Sequence, residues 1–240
     1  MWSGLVIMLV SALGAFVQSL TGFGYAIISI ALWTMVRPFK TAAVIEIVTA
    51  FFLAAWIAAK NRRQIRFKRV LLPIVFCYIG SPIGVHMMLG GEEELFRRIF
   101  GGVLILLAFF FLRWKDNIRV RPTVVSGILT GITSGFIGGL LGVGGPPAAL
   151  YFLAVSEEKE EYNATLQFYF CLTNVYIFFM HLIAGNVRGD TVSDMIFATA
   201  GLFLGMAGAR PLYRKMSMGL LKGITYGFMM LVGLYYMIFG

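Results

Sequence analysis

Two short glycine clusters stand out for their chemistry: Ser19-Leu20-Thr21-Gly22-Phe23-Gly24, and Gly138-Gly139-Leu140-Leu141-Gly142-Val143-Gly144-Gly145-Pro146-Pro147. Glycine this dense breaks a helix. Pro146 and Pro147 suit the first turn of a new one, where a fixed φ and a missing N–H do no harm. A helix that restarts inside a chain presents unpaired N–H groups and about half a positive charge. Such an end can hold a small anion without a buried arginine. The restarts are expected near Phe23 and Pro146, with Gln18, Ser19, Thr21 and Ser134 adding amide and hydroxyl groups. The competing reading is close helix packing, as expected for Gly131, Gly135 and Gly139 at four-residue spacing. Packing motifs do not require two prolines after the glycines, which favours a site made of Gly22, Phe23, Gly24, Gly142, Val143, Gly144, Gly145 and Pro146 with the polar residues of the first cluster.

Glu46 is the other informative position, since a carboxylate inside an apolar span costs several kcal/mol unless paired, protonated or wetted. It reads as a carrier of protons, against a structural hydrogen bond. Gln167, Asn174 and His181 recur every seven residues, which places them on one face of a helix; they line a pathway or tie helices together. His86 reads as a bonded packing residue, and Glu157, Glu158, Glu160 and Glu161 around Lys159 as a solvated loop. Cys77 and Cys171 are core hydrophobes. Scattered histidines and cysteines imply no metal, and no cofactor is expected. Gly142-Val143-Gly144 is no dinucleotide fingerprint, because no strand flanks it.

These residues must be positioned by helices in lipid. Of 240 residues, 59% are hydrophobic and 13% charged, and the mean hydropathy is +0.85. A water-soluble domain carries about a quarter charged residues. The apolar runs are too long for barrel strands. The net charge of +9 comes from Lys and Arg between apolar runs, where basic loops set orientation, so no nucleic acid is expected. No cleavable leader is expected, since Met1-Trp2-Ser3-Gly4 enters an apolar run without a positive stretch before it.

Segments fall at 4–36, 41–59, 70–90, 95–112, 123–155, 162–184, 191–209 and 217–239. The first and fifth, about 33 residues each, contain the glycine clusters. An offset of 120 places Gly22 on Gly142 and Gly24 on Gly144. An offset of 125 places Asn61 on Asn186, Gly80 on Gly205, Leu95 on Leu220 and Gly102 on Gly227. Two repeats, 1–118 and 119–240, are therefore expected. If each broken segment is a hairpin, its arms of about 15 residues reach about 22 Å, short of the roughly 30 Å core. Lys and Arg then divide 15 against 5 between the faces, whereas full crossings split them almost evenly. The expectation is an all-α integral membrane protein of two inverted repeats, each a re-entrant hairpin plus three transmembrane helices, with both termini outside.

The paired motifs, the second above all, resemble the TauE/SafE sulfite exporter family over nearly the whole chain. The resemblance implies export of a small sulfur-containing anion, such as sulfite, sulfoacetate or another organosulfonate, across a bacterial or archaeal inner membrane, with protons as a driving partner. The first motif departs from the glycine-rich pattern at Phe23 and lacks the prolines. Other readings are an anion channel or a non-transporting scaffold. An enzyme is not expected, for want of a nucleophile with its base or a His-Glu-x-x-His motif. A homodimer is compatible with this reading.

Overall fold

The computed structural model describes residues 2–21, 24–113, 123–187, 189–209, 211 and 218–240. Ten α-helices appear among them: α1 Trp2–Thr21, α2 Tyr25–Trp33, α3 Phe39–Lys60, α4 Phe67–Gly90, α5 Glu93–Arg113, α6 Val124–Leu141, α7 Gly145–Val155, α8 Lys159–Ile183, α9 Gly189–Ala209 and α10 Met218–Phe239. Six are long and apolar enough to cross a membrane: α1, α3, α4, α6, α8 and α9.

Both broken segments fold back on themselves. The Tyr25 N–H is bonded to Gln18 Oε1 at 2.8 Å, Trp33 Nε1 donates to Ile7 O, and Arg37 reaches Ser3 Oγ at 3.0 Å. Partners fall in number along α1 as they rise along α2, so the arms are antiparallel. In the second hairpin Ser134 Oγ donates to Gly144 O at 2.6 Å, while Gly127 lies against Tyr151. The arms are not the even pair of about 15 residues expected. α1 has 20 residues and α6 has 18, against 9 and 11 for α2 and α7. At 1.5 Å per residue the long arms reach about 30 and 27 Å and the short ones only about 14 and 16 Å. Each glycine break therefore follows the longer arm of its hairpin.

The helices gather into two compact units, each drawn from both halves of the chain. One comprises Met1–Thr49, Gly91–Ile118 and Val187–Gly240; the other comprises Ala50–Gly90 and Arg119–Asn186. In the first, α1 runs parallel to α9, because a side chain at Gly201 would meet Met8 O and one at Gly205 would meet Ala12 O. In the second, α6 runs parallel to α4 through a ladder of close approaches. Gly131, Gly135 and Gly139 lie on the carbonyls of Pro73, Cys77 and Ser81, and Gly80 and Gly84 on those of Ile132 and Phe136. Lipid supplies no hydrophobic drive for helices to associate, so such backbone-to-backbone packing holds these pairs. The four-residue glycine spacing of α6 is thus a packing surface, as the sequence indicated. The two units repeat the same contact: Gly205 on Ala12 in one matches Gly80 on Ile132 in the other, at the offsets of 125 and 120.

Candidate functional site

The first break ends at Gly24, whose φ of 114° lies in the left-handed region that glycine adopts without a steric cost. α2 starts at the next residue. Its first N–H, that of Tyr25, is capped by Gln18 Oε1 from α1. Gln18 Oε1 thus accepts from and closes one of the backbone donors, while the N–H groups of its amide are the donors it could add. Ser19 is half-buried on α1. Gly22, Phe23 and the Thr21 side chain lie outside the described residues.

The second break begins with Gly142, which caps α6 at φ 73° and donates its N–H to Gly138 O at 2.9 Å. Val143 is buried. Gly144 is the N-cap of α7, and Gly145 its first residue. Pro146 and Pro147 follow and have no N–H, so the donors at this end reduce to those of Gly144 and Gly145. The end keeps its dipole but has few hydrogen bonds to give. A side chain at Gly144 would run into Ser134 O, so packing within the hairpin demands glycine there irrespective of any ligand. At Gly145 an added Cβ meets only Phe170 Cζ at 3.6 Å, an ordinary contact. Gly145 is therefore the position where the backbone can be probed without breaking the hairpin.

Glu46 is 3% exposed and lies on α3 within the first unit. Among the described residues it forms no ion pair. Near it is a set of buried hydroxyls that sequence reading missed, because its members are far apart in the chain. Ser11 and Tyr25 are hydrogen-bonded at 2.9 Å, and Ser29 and Thr49 lie close to the same tyrosine hydroxyl. All of these residues are buried.

Gln167, Asn174 and His181 do share α8. Gln167 and His181 are buried and Asn174 half-buried. His181 Nδ1 is 2.9 Å from Asn186 Nδ2, a bond that closes the end of α8. His86 is exposed. Among the described residues no group of three His, Cys, Asp or Glu could hold a metal ion.

The acidic stretch 157–161 is not one solvated loop. α8 starts at Lys159, and Glu161 is buried, bonded by Arg66 Nε at 3.0 Å and by Arg69. Glu157, 79% exposed, also pairs with Arg69, at 3.1 Å. In the first unit, Arg37 binds both oxygens of the buried Asp194, at 2.5 and 3.0 Å. That carboxylate holds the guanidinium above its ordinary range, chiefly through the hydrogen bond.

Ten helices, six of them long enough to span, and two antiparallel hairpins that restart at glycine define a multi-pass membrane protein with broken helices. Residues 7–236 match the family described as Sulfite exporter TauE/SafE, and the chain belongs to that family. It is a membrane transporter of sulfite-type anions, not an enzyme. No curated protein and no solved structure matches the chain.

Proposed function

We propose that this transporter exports sulfite, sulfoacetate or a related organosulfonate across a bacterial or archaeal inner membrane, as a secondary carrier coupled to protons through Glu46. The observation that carries the reading is the pair of hairpins, each with a short helix starting at a glycine break, in a chain of this family. Helix starts of this kind favour negative charge, and irregular backbone at membrane depth survives where protein buries it or a polar cavity meets it. The substrate contacts are assigned to Gln18, Ser19, Thr21, Gly22, Phe23 and Gly24 at the first break and to Gly142, Val143, Gly144, Gly145 and Pro146 at the second, with Gln167 and Asn174 along the pathway.

An inverted repeat accompanies this reading. Hairpins that return, with three single crossings after the first, open the second hairpin on the opposite face, and the 15-to-5 division of Lys and Arg favours both termini outside. Single cysteines at Gln64 and Ser217, in a background lacking Cys77 and Cys171, should then label alike from one face with an impermeant reagent. Opposite labelling would return the chain to full crossings.

The functional test is thermal stability of the purified protein with sulfite, sulfate, sulfoacetate, taurine and carboxylates. A bound anion raises the melting temperature as occupancy rises. Sulfite or an organosulfonate should stabilise the chain most, and Gly145→Ala should keep the unliganded melting temperature while weakening that effect. A scaffold would respond to none of the anions, and a preference for carboxylates would overturn the substrate class. A channel reading would be favoured by anion flux that no pH gradient can drive uphill.

A further inference from the structure

The turn between α3 and α4 carries six Lys and Arg in ten residues, 60–69, and the fold divides them. Arg66 and Arg69 are spent on Glu161 and Glu157. Lys60, Arg62, Arg63 and Lys68 are exposed, and none of them forms an ion pair among the described residues. Three of these four, with Asn61 and Gln64, line an open depression of about 480 Å³. Its shape is set locally. Asn61 closes the end of α3 by donating from Nδ2 to Ile57 O at 3.0 Å, and Arg62–Gln64 forms one 3₁₀ turn. The lining contains no carboxylate. Ammonium and guanidinium groups only donate, so an anion with several acceptor oxygens completes this lining.

Two further observations say what kind of anion. α3 and α4 are both long and apolar enough to cross a membrane, so the turn joining them lies where lipid headgroups meet water. Toward the bilayer from Lys60, an exposed aromatic stripe runs along α3: Trp56 is 58% exposed and Phe52 40%. Their four-residue spacing stacks Phe52, Trp56 and Lys60 on one face of the helix. A hydrated inorganic anion gains nothing from that stripe. A phospholipid uses both parts, its phosphate on the cations and an acyl chain along the rings.

We propose that this depression binds the headgroup of an anionic phospholipid, with Lys60, Arg62 and Arg63 holding the phosphate and Trp56 and Phe52 the chain beside it. Basic residues that only set orientation require neither a carboxylate-free depression nor an aromatic stripe next to it. None of these residues belongs to either glycine break, so the site stands whichever anion is carried.

The test measures binding of phosphatidylglycerol and phosphatidylcholine to the full chain in detergent by native mass spectrometry. Wild type is compared with two triple variants. The first combines Lys60→Gln, Arg62→Gln and Arg63→Gln; the second combines Lys68→Gln, Arg113→Gln and Lys159→Gln, removing the same charge from exposed positions outside the depression. Wild type should prefer phosphatidylglycerol. The first triple variant should lose at least about tenfold in affinity for it, since each cation near an anionic surface is worth about fivefold, and the second should lose much less. Arg62→Gln with Arg63→Gln serves if the first triple variant does not fold. Equal losses in the two triple variants would overturn the site and leave only attraction to the net positive charge of the chain. Displacement of the lipid by millimolar inorganic phosphate or sulfite would overturn the lipid assignment in favour of a free anion. The acyl-chain contact is read separately. Phosphatidylglycerol brominated along its chains should quench tryptophan fluorescence less in Trp56→Phe than in wild type, and unchanged quenching would overturn the place given to the chain.

Discussion

The two hairpins follow one plan with opposite chemistry at their ends. At the break, the first hairpin closes the leading N–H of its short helix with a side chain, Gln18, while the second removes the next two N–H groups by placing Pro146 and Pro147 there. At the base, an offset of 120 carries Arg37 onto Glu157, and an offset of 125 carries Arg69 onto Asp194. The ion pair of the first unit, Arg37 with Asp194, thus recurs in the second as Glu157 with Arg69, with the charges exchanged. In each, a residue just beyond the short arm is tied to the start of the helix that packs along the long arm. Position is shared and sign is not, so what both units need is the tie itself. The environments differ too: Asp194 is buried, Glu157 is 79% exposed, and Arg69 spends its other contact on the buried Glu161.

The largest effect should come from the packing common to both units. Gly205→Val in the first and Gly80→Val in the second each drive a branched side chain into a facing carbonyl, of Ala12 and Ile132. Each should cost more than about 3 kcal/mol, read as loss of the folded, monodisperse protein in detergent. If one is tolerated and the other not, the equivalence of the two helix pairs fails.

The ion pairs should give smaller and unequal effects. Asp194→Ala leaves a part-buried guanidinium without its carboxylate and should cost about 2 kcal/mol. Glu157→Ala, on an exposed partner, should cost less than about 0.5 kcal/mol. Thermal melting of the two variants checks the order. The comparison sharpens with Arg37→Glu combined with Asp194→Arg, which gives the first unit the polarity of the second. The double variant should recover most of the stability that either single change removes. Failure to recover would mean that the sign at this base is set by groups other than the pair.

Smallest in stability is Gly145→Ala, whose new methyl meets only the Phe170 ring. Its consequence belongs to anion binding, and an equal loss of unliganded stability would put Gly145 with Gly144 as a packing residue.

The element boundaries were legible in the chain because each depends on local composition. Helices expected at 41–59, 70–90 and 191–209 form at Phe39–Lys60, Phe67–Gly90 and Gly189–Ala209. The breaks were legible for the same reason, since several glycines in a few residues stop a helix whatever surrounds them. The unequal arms were less so, because the position of Gly24 within its run says where the helix stops but not what length lipid demands of each side.

What the tertiary structure alone decided are the relations between residues distant in the chain. Glu161 reads as part of a charged loop until the fold sets Arg66, just before α4, and Arg69, in its first turn, against it. Arg37 and Asp194 stand 157 residues apart, and nothing in either neighbourhood marks the other. Ser11 is an ordinary serine in an apolar run until the fold brings its hydroxyl to donate to Ala198 O and to meet the Tyr25 hydroxyl at 2.9 Å. Hydropathy and glycine spacing are properties of short windows and can be read from one sequence. The partner of a hydrogen-bonding group depends on which helices meet and in what register, and that is set by the packing of the whole chain.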